Sequence, residues 1–367
     1  MKDTINVFYK DRLVGEIAKL RNKYVFQYSD EWIENGFSIS PFSLPLEKGV
    51  FTPSDNNFDG LFGVFADSLP DAWGRLLFER YLKSKGIKDC DSLYRLAVVG
   101  SSGMGALEYQ PNIKSYLKEM IDFDDYQKEA DAIFDDSDEV NIDLLYKYGG
   151  SSGGARPKAL IKYNGEDWIV KFHYKHDRSD IGICEYDYAK ACDEIGIKMP
   201  DFKLFSSNIT SGYFGVKRFD RANGKKIHMI SASALLEADY RVPCCDYDDL
   251  FKLTKIITKG NRTDLEQLFL RMCFNVYAHN LDDHLKNFSY LYDEETKTYR
   301  LSPAYDMVYS DTYYNEHTTS VNKLGKNICD ADLLAVGIKA GLSKKYCEEK
   351  IELIKSIVNN KLRKYLD

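Results

Sequence analysis

The polar run Asn280–Asn287 limits what this chain can fold into more than any other feature, because apolar segments border it on both sides. Within eight positions it holds two asparagines, two aspartates, a histidine and a lysine. Burying an ionised side chain without a partner is costly. The run is therefore expected to lie in a solvated loop or in a functional site, where such groups are concentrated.

Composition excludes several classes of protein. The 367 residues are 44% hydrophobic and 29% charged, which is incompatible with a mainly disordered chain. A net charge of −7 argues against a general binder of nucleic acid or membranes. No apolar run approaches the roughly 20 residues of a membrane span, and the start lacks the apolar core of a signal peptide. Eight scattered cysteines without a C-x-x-C pair indicate free thiols, so we expect a cytoplasmic protein.

The chain before the polar run predicts both strands and helices. Alternating residues at 6–18 and 23–29 predict strands, and 67–86 predicts a helix that ends at Gly86. The acidic segment 113–140 is typical of a surface helix or a linker. Asn164-Gly165 between β-rich runs predicts a hairpin. After about residue 230 the pattern is mostly helical.

The surroundings of the polar run have an informative order. Thr263–Glu266 has the spacing of a capping box, and apolar residues follow it at helical intervals. The polar run then comes at or just past the end of this helix. Two strand-like segments, 288–293 and 299–308, flank a turn-like DEETKT, and Asp306 belongs to the second. The predicted order is helix, polar loop, hairpin and aspartate.

This order matches the needs of phosphoryl transfer. The reaction needs a carboxylate that orients or deprotonates the attacking hydroxyl, and Mg²⁺ ligands that neutralise the phosphates. Protein kinases supply an Asp, an Asn five residues later and a second Asp after a hairpin. Asp282, Asn287 and Asp306 have this arrangement. We predict Asp282 as the catalytic base and the other two residues as Mg²⁺ ligands.

Upstream residues add the remaining parts of a kinase in the right order. They are the glycine-rich stretch 149–158, Lys171 on a predicted strand, Glu185 on a predicted helix and a hinge at 215–221. Lys171 is expected to contact the α- and β-phosphates, with Glu185 as its partner. The glycine-rich stretch is not a Walker A loop, because Ala155-Arg156 replaces Lys-Ser/Thr.

Three residues of the polar run leave alternatives open. Asp283 is either solvated or part of a hydrogen-bond network. His284 could act as a base, but bracing of the loop by hydrogen bonds is favoured. Lys286 contacts either phosphate or the loop backbone.

The chain resembles the HipA family of serine/threonine kinases, the toxins of bacterial toxin–antitoxin modules. The matching motifs are G-A-x-x-K at 154–158, R-F-D-R at 218–221, N-x-D-x-H-x-K-N at 280–287 and P-x-Y-D at 303–306. The resemblance implies ATP, Mg²⁺ and a kinase-like bilobal α+β fold with an additional N-terminal α/β subdomain. The implied domains are an N-terminal subdomain at 1–110, a kinase N-lobe at 111–221 and a helical C-lobe at 222–367.

The resemblance also assigns individual residues. It implies ATP contacts at Gly153, Gly154, Ala155, Lys158, Lys171, Lys217, Phe219, Asp220 and Lys286. In the hinge, Lys217 and Phe219 would offer backbone groups to adenine, and Asp220 could reach the ribose. Ser151, or failing that Ser152, would be autophosphorylated, which moves the loop outward and prevents ATP binding. A phosphate there would also repel the triphosphate.

The implied partners come from the same resemblance. They are a protein substrate of the translation machinery, such as an aminoacyl-tRNA synthetase, and a HipB-like helix-turn-helix antitoxin. DNA would be bound mainly through the antitoxin. The alternative is a kinase-fold regulatory protein that holds an antitoxin–DNA repressor complex with little catalysis. Retention of Lys171, Asp282, Asn287 and Asp306 together favours the active kinase.

Overall fold

The computed structural model describes residues 4–87, 90–112, 121–135, 140–150, 153–312 and 314–366. The chain divides into two units. The first comprises Met1–Gly182, Leu204–Ile230 and Ala234–Ala238. The second comprises Ile183–Lys203, Ser231–Ser233 and Asp239–Asp367. Each unit is described by itself below.

The first unit begins with an antiparallel sheet in the strand order β3-β2-β1-β4. Its strands are β1 (Thr4–Tyr9), β2 (Arg12–Leu20), β3 (Lys23–Tyr28) and β4 (Leu107–Gln110). The strands predicted at 6–18 and 23–29 are confirmed, because alternate residues such as Val7 and Phe26 are buried while their neighbours face outward. The helices of this part are α1 (Asp30–Asn35), α2 (Gly63–Ala66), α3 (Ala72–Ser84) and α4 (Ser92–Val99).

The helix predicted at 67–86 is α3, which begins later than expected because Pro70-Asp71 precede it. Gly86 follows its end with φ of 73°, as predicted. Within the acidic segment, α5 (Phe123–Phe134) is a helix, and it is followed along the chain by α6 (Ile142–Gly149). The acidic segment therefore contains a helix that packs its buried Tyr126 and Ile133 inward.

A second sheet has the order β5-β6-β8-β7, in which the pairs β5–β6 and β6–β8 are antiparallel. The predicted hairpin is confirmed: β5 (Lys158–Tyr163) joins β6 (Glu166–Lys171) through Asn164 and Gly165, whose φ values of 51° and 80° are those of a type I′ turn. β8 (Tyr213–Lys217) pairs with β6. An aromatic core lies against this sheet, made of Trp73, Tyr126, Trp168, Phe172, Phe205 and Tyr213.

Two short strands, β9 (Arg221–Ala222) and β10 (Lys225–Lys226), complete the first unit. The residues of four elements are divided between the units. They are α7 (Ile181–Ile195), β7 (Phe202–Phe205), β11 (Met229–Ser231) and α8 (Ala232–Leu235).

The second unit is mostly helical, as predicted. Its helices are α9 (Tyr247–Ile257), α10 (Arg262–Tyr277), α11 (Asp330–Lys339), α12 (Lys344–Lys361) and α13 (Arg363–Leu366). α10 is its centre, because its apolar residues from Leu268 to Phe274 are almost completely buried and α12 packs against it. The predicted hairpin is β12 (Ser289–Asp293) paired with β13 (Thr298–Leu301).

The capping box predicted at Thr263–Glu266 is wrong. α10 begins earlier, with Asn261 as its N-cap, and the Asn261 side chain accepts a hydrogen bond of 3.1 Å from Asp264 N. The preceding turn places Lys259 and Gly260 at positive φ, which directs Asn261 into the cap position. Glu266 instead pairs with Arg262, with 2.8 Å between Nε and Oε1.

Candidate active site

The polar run lies just past the end of α10, as the sequence predicts. Ala278 closes the helix, and His279 follows in a left-handed conformation with φ of 53°. A short 3-10 turn at Leu285–Asn287 ends the run. The side chain of Asp282 is 59% exposed, whereas that of Asp283 is completely buried. Only the first of these neighbouring carboxylates can therefore meet a substrate.

Asp283 is the centre of a buried hydrogen-bond network. Its Oδ2 accepts from Tyr247 Oη and from His317 Nδ1, each at 2.9 Å. Its Oδ1 accepts from Thr319 N at 3.0 Å, and Thr319 Oγ1 donates to its backbone carbonyl. Burial and the charge of Asp283 raise the pKa of Tyr247 well above its usual value. Of the two alternatives for Asp283, the structure shows the network.

Asp282 is held through its backbone. Its N–H donates to Ser310 Oγ at 3.0 Å, and its carbonyl accepts from Asn287 Nδ2 at 2.8 Å. His284 lies beside it, with 3.8 Å between Nε2 and Asp282 Oδ1, which is too long for a hydrogen bond. The His284 ring packs on Tyr240 with 5.0 Å between centroids. In the described part of the chain, its buried Nδ1 has no hydrogen-bond partner, so packing replaces the bracing expected for it.

Asn287 and Asp306 offer the oxygen ligands that Mg²⁺ prefers. Because Asn287 Nδ2 is directed at the Asp282 carbonyl, its Oδ1 remains for a cation. Asp306 has a left-handed backbone with φ of 53°, which Asp tolerates better than most residues. Its carbonyl accepts from Asn280 Nδ2 at 3.3 Å. The side-chain chemistry of both residues therefore fits the predicted metal.

Tyr305 of the P-x-Y-D motif fixes the turn after Asp282. Its hydroxyl donates to the Lys286 carbonyl at 2.6 Å and lies 2.6 Å from Ser289 Oγ. The Lys286 ammonium lies over the ring of Tyr240, 5.2 Å from its centroid. Tyr305 thus holds the backbone of Lys286, while the Lys286 ammonium contacts the ring of Tyr240, which also packs against His284.

The glycine-rich stretch is described from Gly153 onward, and the predicted autophosphorylation sites Ser151 and Ser152 lie outside the described residues. Gly154 has φ of 84°, a left-handed conformation that favours glycine, and its Cα lies close to the Lys158 ammonium. Its N–H donates to Asp71 Oδ2 at 2.9 Å, and its carbonyl accepts from Trp73 N at 3.2 Å. Asp71 and Trp73, at the start of α3, therefore hold this turn in place.

The predicted phosphate ligands of the first unit lie on one hairpin. Lys171 ends β6 and is directly opposite Lys158 at the start of β5. Lys158 is buried, with 7% of its surface exposed, and the Lys171 ammonium lies 5.7 Å from the centroid of Phe214. The exposed Ala155 precedes Lys158 in the turn. Glu185, the expected partner of Lys171, is buried on α7 in the second unit.

The predicted hinge follows β8 in the first unit. Lys217 pairs with Glu166, with 3.2 Å between Nζ and Oε1. Arg218 N donates to the carbonyl of Asp167 at 2.8 Å, and Phe219 is half-buried. The structure leaves the proposed adenine contacts of this segment as a prediction.

The ribose contact expected of Asp220 requires correction. Asp220 is 0% exposed, and its carboxylate accepts from Arg218, Arg221 and Gly105 N at 2.7–2.9 Å. Burial alone would raise the pKa of Asp220, but the two guanidinium groups lower it to about 2. Both arginines also donate to the carbonyl of Gly103. The carboxylate is the centre of a buried ion cluster and does not face a ligand.

Sequence reasoning missed the residues that hold the site in place. They are Asp71, Tyr247, Ser310, His317 and Thr319. Each is at least 28 positions from the residue it contacts, so no local spacing reveals it. Asn280 is the residue in the sequence that could have indicated such partners. It belongs to the N-x-D-x-H-x-K-N motif, and its side-chain amide needs hydrogen-bond partners when it is buried.

The described residues were expected to supply ligands for Mg²⁺. No group of three or more His, Cys, Asp or Glu side chains there is arranged to hold a metal ion. Mg²⁺ sites that use phosphate oxygens need only one or two protein carboxylates, so this does not conflict with the predicted ligands. Among the helices of the same residues, none combines the length and apolar character required to cross a membrane.

Comparisons with known proteins agree with these motifs. Residues 5–110 match the family model "HipA N-terminal domain", and residues 150–361 match "HipA-like C-terminal domain". Two similar proteins come from Sinorhizobium fredii (strain NBRC 101917 / NGR234), and both are provisionally named as kinases. Y4mE is 24% identical over 91% of this chain and 83% of its own length. Y4dM is 26% identical over 49% of this chain and 48% of its own length.

A solved structure covers almost the whole chain. It is the complex of HipA, HipB and operator DNA from the toxin–antitoxin system of Shewanella oneidensis MR-1. The TM-score is 0.72 at 18% identity, and the match covers 99% of this chain and 91% of that one. This likeness confirms the predicted kinase-like α+β fold.

Proposed function

The chain belongs to the HipA family, and on that basis we propose that it is a Mg·ATP-dependent serine/threonine protein kinase. The observation that carries the proposal is the contrast between two neighbouring acids. Asp282 is exposed, whereas Asp283 is buried and holds the loop in place. A carboxylate presented on a rigid loop is what transfer to a hydroxyl requires.

In the proposed reaction, the Asp282 carboxylate orients the substrate hydroxyl and accepts its proton. Its backbone is fixed on one side by Ser310 and on the other by Asn287, so little reorganisation is needed. Asn287 and Asp306 would hold Mg²⁺, which when bound neutralises charge on the phosphates. The exposure of Asp282 leaves room for a protein substrate.

The nucleotide is proposed to contact the residues that the family resemblance assigns to it. Phosphates would meet the turn Gly153–Ala155 and the ammonium groups of Lys158 and Lys171. Adenine would meet the backbone of Lys217 and Phe219. Lys286 would add a positive charge for the phosphates, and Glu185 is the proposed partner of Lys171. Basic side chains and glycine N–H groups are the usual partners of phosphate.

We further propose that Ser151, or else Ser152, is autophosphorylated and that this inactivates the kinase. The phosphate would add about −1.5 to −2 charge beside the bound triphosphate.

The biological role proposed is that of a toxin with a helix-turn-helix antitoxin. The similar Shewanella protein is found with HipB and operator DNA, which supports a HipB-like partner that contacts DNA. The proposed substrate is a protein of the translation machinery. The alternative, a regulatory protein with little catalysis, is disfavoured. Ser310 and Asn287 fix the backbone of Asp282 by hydrogen bonds, and a scaffold without catalysis has no need to fix this residue.

Replacement of the base tests the proposal. Asp282→Asn should keep the fold and nucleotide binding but lower phosphoryl transfer about 10²–10⁴-fold. The measurement is incorporation of label from γ-labelled ATP into the protein itself. Asp193→Asn, which changes an exposed aspartate of α7 in the same unit, is the matched control and should keep full activity. Normal labelling in Asp282→Asn would refute the assignment and direct attention to His284.

A further inference from the structure

The side chain of Asn280 joins the two acids of the proposed catalytic centre. It is 3% exposed, and its Nδ2 donates to Asn275 Oδ1 at 2.9 Å and to the Asp306 carbonyl at 3.3 Å. Its Oδ1 accepts from Ser310 Oγ at 2.9 Å. The buried amide therefore connects Asn275 at the end of α10, the backbone of Asp306 and the hydroxyl of Ser310.

Ser310 completes the connection. Its hydroxyl donates to Asn280 Oδ1 and accepts from the N–H of Asp282 at 3.0 Å. Its backbone is also fixed, since Ser310 N donates to the His279 carbonyl at 3.0 Å and its own carbonyl accepts from Leu281 N at 3.2 Å. One hydroxyl thus bridges the amide of Asn280 and the backbone of the proposed base.

The far end of the same segment holds the opposite side of the loop. Thr318 N and Oγ1 donate to the Leu281 carbonyl at 3.0 and 3.1 Å. Thr319 bonds to both the carboxylate and the carbonyl of Asp283. Ser310, Thr318 and Thr319 therefore hold residues 281–283 from both ends of the segment, and Ser310 contacts the backbone of Asp282.

We propose that Ser310 is a positioning residue for phosphoryl transfer and that it acts through Asn280. The chain Asp282 N–H, Ser310 Oγ, Asn280 amide and Asp306 carbonyl sets the position of the base relative to the metal-binding acid. This inference rests on the proposed kinase function. A hydroxyl is required at this position because it donates one hydrogen bond and accepts another at once, which alanine cannot do.

Loss of this hydrogen-bond chain should affect the chemical step alone. Without the hydroxyl, Asp282 N–H and Asn280 Oδ1 each lose a partner, and the base becomes free to shift. A misplacement of about 1 Å can cost about 10²-fold in rate. ATP affinity depends on other groups and should not change. The expected signature of Ser310→Ala is a lower kcat at constant KM for ATP.

Three variants of the full-length protein test this. Ser310→Ala should lower kcat for autophosphorylation about 10–100-fold, with KM for ATP and the melting temperature unchanged. Ser310→Thr keeps the hydroxyl and should restore most of the rate. Thr312→Ala is the matched control, because among the described residues the Thr312 hydroxyl bonds to the backbone of Glu316 and not to the polar run. Its kcat should equal that of the wild type.

Amide hydrogen exchange at Asp282 gives a second readout that needs no activity. In Ser310→Ala this amide should exchange faster, whereas Thr312→Ala should leave it protected. Unchanged kcat, unchanged exchange, or a loss of rate that parallels a lower melting temperature would overturn the inference. An inactive wild-type protein would instead refute the proposed kinase function. The exchange rates of the Asp282 amide would then decide by themselves whether Ser310 holds this residue in place.

Discussion

Asp283 Oδ2 and His317 Nδ1 lie 2.9 Å apart in the interior of the second unit, although 34 positions separate them in the chain. Both side chains are almost completely buried, and Asp283 Oδ2 also accepts a hydrogen bond from Tyr247 Oη. A buried carboxylate with three donors is fixed in place, since leaving any of them unpaired would be costly. This contact makes Asp283 structural and directs its neighbour Asp282 to solvent.

Neutralisation of Asp306 should weaken Mg·ATP binding. Asp306→Asn is preferable to Asp306→Ala, because Asn also tolerates the left-handed backbone of this position. The variant loses one negative charge against the cation, so affinity measured by titration calorimetry should fall at least about tenfold. Asp293→Asn, in the hairpin of the same unit, should bind as the wild type does. Equal affinity of Asp306→Asn and wild type would contradict the metal assignment.

Purified active protein should carry phosphate on Ser151, or failing that on Ser152. Peptide mass spectrometry of the wild type should find it, and Asp282→Asn should lack it if the protein modifies itself. The phosphorylated form should bind ATP more weakly, because like charges repel within the glycine-rich stretch. Phosphate only at other positions in an active enzyme would show that this mechanism is absent here.

Removal of the charge on Asp220 should destabilise the protein strongly. Asp220→Asn would leave Arg218, which is 3% exposed, without its main counter-charge. Breaking a buried ion pair in this way costs about 3–5 kcal/mol, measured as the free energy of unfolding in urea. Glu166→Gln breaks the partly exposed pair with Lys217 and should cost about 1 kcal/mol or less. A similar small effect for both variants would mean that the Arg218–Asp220 cluster is not a stabilising unit.

His228 should make stability fall in acid. Burial lowers its pKa to about 4, from 6.5 when exposed, and its Nε2 lies 2.9 Å from the Ile39 carbonyl. Between these two values the unfolded chain binds a proton that the folded protein does not, so stability decreases as pH falls from 6.5 to 4. The full loss is about 3 kcal/mol.

The test for His228 compares melting temperatures of wild type and His228→Gln across this pH range. Burial raises the pKa of Glu237 to about 7, which stabilises the folded protein as pH falls and opposes the effect of His228. Both proteins contain Glu237, so their difference isolates the histidine. The gap between them should change steadily from pH 6.5 to 4. A constant gap would show that His228 does not titrate differently on folding.

Much of the fold follows from local signals in the sequence. The turn Asn164-Gly165, the alternation in residues 6–18 and the stop at Gly86 each depend on the conformational preferences of a few adjacent residues. The predicted start of α10 is wrong because Asn261 and Thr263 are both residue types that cap helices, and the turn before Asn261 decides which of them is the N-cap. Such a choice depends on how the preceding helix ends.

The proposed catalytic residues were also identifiable from sequence, because Asp282, Asn287 and Asp306 follow a spacing fixed by the helix, loop and hairpin between them. Their environments were not. Asp282 and Asp283 are adjacent and chemically identical, and only contacts from Tyr247, His317 and Thr319 make one buried and the other exposed. Asp220 matches a motif, yet two arginines and a distant N–H enclose it. Burial and pairing depend on segments far apart in the chain, so folding alone decides them.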